Sequence, residues 1–213
     1  MKKIICFFIV LIILPINVLA LDINSKYVYF YNLDRDEVIF EVDSQEEISI
    51  ASMTKIMTAI VAIENIDDLD EEVILTSKDF KGLKEANAST AGFIRGEVVT
   101  YRDLLYGLML PSGADAALAL SNNIAGSEDN FVKLMNIKTK ELGLENTHFE
   151  NVTGLDEDGH YSSVYDVYRF LNYALKNERF EEIFTTKRYT TSNKRLSFKS
   201  TLLSTSKKYN IDT

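Results

Sequence analysis

Ser52 and Lys55 stand three residues apart in the stretch IASMTKIMTAIVAI, Ile50 to Ile63. On a helix that spacing puts both side chains on one face, so hydroxyl and amine can meet. From Met53 onward nearly every neighbour is apolar or small, and burying an ammonium there is costly unless it is paired or neutralised. Desolvation lowers a lysine pKa, because it disfavours the charged form. A partly neutral amine beside a hydroxyl is a general base, and serine is a weak nucleophile until its proton is removed. Ser52 near the helix N-terminus also gains from the positive end of the helix dipole. The spacing alone is common. Ser204 and Lys207 repeat it in the polar segment LLSTSKKYN, where nothing buries the amine. Lys55 could instead snorkel or pair with an acid.

A second hydroxyl, Ser112, lies in LMLPSGADAALAL. Pro111 and Gly113 mark a tight loop between two apolar helices. Such a loop either aims Ser112 into a cleft, where it could relay a proton, or uses it to cap the following helix. The two histidines, His148 and His160, are too few and too separated for a zinc site, and His160 is expected on a surface loop. In NVTGLD, the residues Asn151, Gly154 and Asp156 read as turn chemistry. The aromatic residues of Tyr161 to Tyr173 recur at helical spacing and are expected in the core.

The elements that position these residues follow from pattern. KYVYFYNLDRDEVIFEV predicts a β-hairpin, with strands Tyr27 to Tyr31 and Val38 to Val42. Ala51 to Glu64 predicts a helix apolar nearly all round, hence buried. EEVILT predicts a short strand. Thr100 is the expected N-cap of YRDLLYGLML, with Asp103 completing a capping box. ADAALALSNNIAG closes at Gly126, and EDNFVKLMNIKTKELG closes at Gly143. SSVYDVYRFLNYALKN is capped by Ser162 or Ser163. From Thr186 the pattern returns to strand, in KRYTT and RLSFKSTLL. Strands, a long helical middle, then strands again suit a helical region inserted between strands of one antiparallel sheet.

The first residues belong to a different function. MKK, an apolar run from Ile4 to Ile16 and VLA at Val18 to Ala20 predict a secretory signal over 1–20, leaving 21–213 as the exported chain. An uncleaved membrane anchor is the alternative. No spanning segment is expected after residue 20. The only cysteine, Cys6, falls in that leader, so disulfides and thiolate metal sites are excluded from the rest. The net charge is −9, and −11 without Lys2 and Lys3, which argues against a nucleic-acid partner.

Together ASMTKIMTA, GEVVTYRDLLYGLMLPSGADAA, FVKLMNIKTKELGLENTHFENVTGLD and HYSSVYDV resemble the serine D-alanyl-D-alanine carboxypeptidases. These are low-molecular-mass penicillin-binding proteins, related to the serine β-lactamases and marked by S-x-x-K, S-x-N and K-T-G motifs. The likeness runs from about Tyr27 to about Leu203. It implies an α/β (α+β), β-lactamase/transpeptidase-like fold. It also implies that Ser52 is the acyl-enzyme nucleophile, Lys55 the proton acceptor and Ser112 the serine of the second motif. No cofactor is implied. The implied substrate is a peptidoglycan stem peptide ending in D-Ala-D-Ala, and β-lactams would acylate Ser52. A β-lactamase is disfavoured, since no E-x-x-L-N-type loop surrounds Asn151.

Two departures matter. The third position of the second motif is Ala114 where the family has Asn, so an amide contact to substrate and lysine is lost. No K-T-G occurs in the chain. The expectation is therefore a copy that stops before the closing strands, with an incomplete sheet, little turnover, and Ile56, Ile60 and Ile63 short of cover. The alternative is a non-catalytic remnant that binds wall peptide.

Overall fold

The computed structural model describes residues 24–201. The predicted leader 1–20, the end of the second predicted return strand, and Ser204 with Lys207 lie outside the described residues. In chain order the elements are β1 (Val28–Asn32), β2 (Glu37–Val42), α1 (Thr54–Glu64), β3 (Glu72–Ile74), β4 (Val98–Thr100), α2 (Tyr101–Met109), α3 (Ala114–Ala125), α4 (Glu128–Glu141), α5 (Val164–Ala174), α6 (Glu178–Thr185), β5 (Arg188–Thr190) and β6 (Ser197–Lys199). A 3₁₀ turn, Ala51–Met53, leads into α1.

α1 is the axis of the molecule. All its residues from Thr54 to Ile63 are buried, because α2, α3, α4, α5 and α6 each pack against it. A helix enclosed on all sides has no polar face to keep, which is why its sequence is apolar all round. Leu104, Leu105, Leu108, Leu120, Phe131, Met135, Phe170 and Phe180 fill the space between these helices.

The local signals that end and begin helices act where expected. Thr100 caps α2, and Asp103 returns the bond to the Thr100 amide at 3.1 Å. Gly126 takes φ +78° after α3, a left-handed position that glycine adopts without a Cβ penalty. Ser163, not Ser162, caps α5. Asn177 caps α6, a helix that hydrophobic pattern does not separate from the one before it.

The strands form three two-stranded antiparallel ladders, β1–β2, β3–β4 and β5–β6. The mixed helix-and-strand class is as expected, and the sheet is small and open. Among the described residues the return strands pair with each other rather than with β1 or β2. They are held elsewhere. Tyr189 stacks on Tyr106 at 3.8 Å between ring centroids, and its hydroxyl donates to Asp103 at 2.8 Å. A buried carboxylate on α2 thus holds the ladder against the helices.

The expectation that Ile56, Ile60 and Ile63 lack cover is corrected. They are 9%, 4% and 4% exposed, and α6 with Phe180 supplies part of the covering layer. The hairpin is less complete. Tyr29 and Tyr31 pack on Tyr165 and Tyr168 of α5, whereas Phe30, Val38, Ile39 and Val42 are exposed.

Candidate active site

Ser52 sits in the 3₁₀ turn and is exposed, while Lys55, one turn on, is 5% exposed. Its Nζ donates to Ser52 Oγ at 3.2 Å and to the Thr153 carbonyl at 2.5 Å. Burial pushes the Lys55 pKa down to about 8, and the Asp115 carboxylate opposes that shift. An open hydroxyl thus touches a desolvated amine, the arrangement the spacing predicts.

The turn that presents Ser52 is shaped from behind. Ala51 has φ +46°, a left-handed conformation unusual for a residue with a Cβ. Gly154 lies against it so closely that an added Cβ would stand 2.0 Å from the Ala51 carbonyl oxygen. Ser49 Oγ donates to Asp156 at 2.6 Å, and Thr58 Oγ1 donates to the Val152 carbonyl at 2.8 Å. The NVTGLD loop therefore does more than turn. Asn151 Oδ1 does accept from the Thr153 and Gly154 amides at 3.1 and 2.8 Å, as an Asx turn should. That geometry also aims the Thr153 carbonyl at Lys55.

His160 is a correction. It is 7% exposed rather than on the surface. Its Nδ1 accepts from the Glu150 amide at 3.1 Å, so Nε2 carries the proton and donates to Thr54 Oγ1 at 2.8 Å. Burial lowers its pKa, and Glu157 and Glu150 oppose this. The imidazole ties the loop to the first turn of α1, two residues beyond Ser52. Nothing in the surrounding sequence marks the loop as one that packs on a helix. Only the donor and acceptor at fixed separation, visible after folding, reveal the role.

Ser112 has φ +61° and is half-buried in the loop between α2 and α3. It is not the cap of α3: Gly113 holds that position, with no side-chain capping bond. Among the described residues no hydrogen bond joins Ser112 to Ser52 or Lys55. Asp115, three residues on and near the start of α3, is the carboxylate whose field reaches Lys55, and α3 packs against α1. Ala114 is 2% exposed, and its amide donates to the Ser89 carbonyl at 2.8 Å. Asp115 itself, which sequence reasoning passed over, is 1% exposed.

An exposed hydroxyl in contact with a buried lysine amine is the kind of pair that serine acyl transfer uses. The fold is that of the penicillin-binding transpeptidases. The crystal structure of the Streptomyces K15 DD-transpeptidase matches with TM-score 0.75 at 33% identity, over 83% of this chain and 74% of that one. Penicillin binding protein 6B from Escherichia coli matches with TM-score 0.71 at 29% identity, over 78% of this chain and 54% of that one.

Residues 16–213 match the D-alanyl-D-alanine carboxypeptidase family, and the chain belongs to it. It is 42% identical over 159 residues to the D-alanyl-D-alanine carboxypeptidase DacF of Bacillus subtilis, covering 73% of this chain and 40% of that protein. It is 40% identical over 150 residues to the D-alanyl-D-alanine carboxypeptidase of Streptomyces sp. strain K15, covering 67% and 51%. The chain thus spans about half the length, or less, of these curated relatives.

Proposed function

We propose that this chain carries the acylating half of a serine D-alanyl-D-alanine carboxypeptidase, exported by its leader 1–20 and acting on peptidoglycan stem peptides. The observation that carries this reading is the 3.2 Å contact between Ser52 Oγ and the buried Lys55 amine. Lys55 takes the proton as Ser52 Oγ attacks the carbonyl carbon between the two terminal D-alanines. The peptide C–N bond breaks, and the proton held by Lys55 passes to the departing amine of D-alanine. Water then hydrolyses the Ser52 ester and frees the shortened stem peptide. With the amine titrating near pH 8, about one lysine in ten is neutral at pH 7. That fraction suffices for base catalysis because the transfer driving force stays high.

β-Lactams present a strained amide to the same nucleophile and are expected to acylate it. The test is fluorescent penicillin labelling of the whole chain, with Ser52→Ala as control. Covalent label lost in the variant supports the reading. Folded wild-type protein that takes no label would overturn it. The family names of the Bacillus and Streptomyces relatives support the D-Ala-D-Ala substrate, and Ala114 argues for weaker substrate holding than an Asn would give.

A further inference from the structure

We propose that Asp115 is a positioning residue for acyl transfer, clamping the exposed segment Ser89–Phe93 onto the Ser112 loop and so fixing the wall of the cleft beside Lys55. This rests on the acyl-transfer reading given above. The carboxylate is 1% exposed and its acceptor capacity is fully engaged. Oδ1 accepts from the Ala91 amide at 2.7 Å and the Ala116 amide at 3.0 Å. Oδ2 accepts from the Gly92 amide at 3.0 Å and the Phe93 amide at 3.1 Å. Only the Ala116 bond is local to α3. The other three come from consecutive amides of a segment more than twenty residues earlier in the chain.

Outside these bonds the segment is held at Phe93, which packs edge-on against Phe198, and at Gly92, whose carbonyl accepts from Arg195 Nη2 at 2.7 Å. Ser89, Thr90 and Gly92 are exposed, and Phe93 is its one deeply buried side chain. Two further bonds stitch it to the same loop: Ser89 Oγ donates to the Pro111 carbonyl at 3.2 Å, and the Ala114 amide donates to the Ser89 carbonyl at 2.8 Å. The junction is tight enough that a Cβ on Gly113 would sit 2.7 Å from both Asp115 Oδ1 and Ala91 Cβ. Ser112, at φ +61°, is thus held in an unfavourable conformation between residues anchored on both sides. The charged groups around the carboxylate are Lys55, from α1, and Arg195, whose own partner is Glu97. Asp115 is therefore both a clamp on the Ser112 loop and a carboxylate whose charge acts on the Lys55 amine.

The experiment uses the full chain with Asp115→Asn and Asp115→Glu. Three readouts are taken: penicillin acylation rate against pH, amide exchange at Ala91–Phe93, and the titration of Lys55 followed by ¹³Cε NMR. Asp115→Asn is expected to lower the plateau rate at least tenfold, speed exchange at Ala91–Phe93, and move the Lys55 midpoint to lower pH. A purely structural role would not move that midpoint. Asp115→Glu keeps the charge, so rate and exchange change while the midpoint stays. It also carries the test where Asp115→Asn does not fold. A folded Asp115→Asn with unchanged exchange and midpoint would overturn the proposal. Wild-type protein without Ser52 label would instead remove the acyl-transfer reading, and the NMR readouts decide the clamp in either case.

Discussion

At the residue scale, the buried amine beside Ser52 weakens the fold. Its pKa of about 8 lies below the ordinary 10.5, so the native state resists binding a proton that the unfolded chain accepts. The sign follows from linkage: stability is full above pH 10.5, falls as pH drops towards 8, and stays lowered below that. The drop corresponds to about 3 kcal/mol. Lys55→Met removes this term and leaves the Thr153 carbonyl without its donor, a loss of roughly 1–2 kcal/mol. The variant is therefore expected to melt no lower than wild type at pH 7 while losing all penicillin label. A clear drop in melting temperature would show that the amine stabilises the core. Wild-type acylation should rise about tenfold per pH unit up to pH 8 and level above it, because the neutral amine is the working form. A rate flat from pH 6 to 9 would exclude Lys55 as base.

At the scale of elements, two contacts transmit packing into chemistry. Gly154 and Gly126 share φ +78°, but a Cβ meets nothing within 4 Å at Gly126 and the Ala51 carbonyl at Gly154. Gly→Ala carries the same backbone strain at both sites. Only Gly154→Ala should also displace the turn bearing Ser52, so its acylation rate is expected to fall at least tenfold further than that of Gly126→Ala. Equal rates in the two variants would show that the loop does not aim the nucleophile. Asp103 is the second contact. It completes the α2 capping box and accepts from Tyr189 Oη, the Ser192 amide and Ser192 Oγ. Asp103→Ala should destabilise by roughly 3 kcal/mol, since it removes a cap and strands several buried donors. For a chain of this size that lowers the melting temperature by about 10 °C, with early proteolysis in β5–β6. A shift under about 2 °C would mean the ladder is held by its aromatic stack alone.

For the whole molecule, the five helices around α1 carry the core and the hairpin lies at its margin. β1 is fastened to α5 by tyrosines, yet Phe30, Ile39 and Val42 are 52%, 45% and 40% exposed. A two-stranded ladder with open apolar residues invites pairing with another chain. The isolated chain is expected to associate as concentration rises, and Ile39→Lys should reduce that association without changing Ser52 labelling. Sedimentation across a hundredfold concentration range reads this directly. A monomer throughout would show that the hairpin surface is not sticky. Among the described residues, no helix is long and apolar enough to cross a membrane.

What the sequence by itself determined is what neighbours in the chain decide. The Ser52–Lys55 pair, the Thr100–Asp103 capping box, the Gly126 stop and the burial of α1 depend on a few adjacent residues and on helical periodicity. Tertiary structure alone decided the rest. Thr153 reaches Lys55 across 98 positions and His160 reaches Thr54 across 106. Part of the cover over Ile60 comes from α6, and the segment at Ala91 depends on the Asp115 carboxylate. Each of these is a polar group or a small contact surface with no signature of its own. Its energy depends on distance and on the exclusion of water, and both are set only when the whole chain has packed.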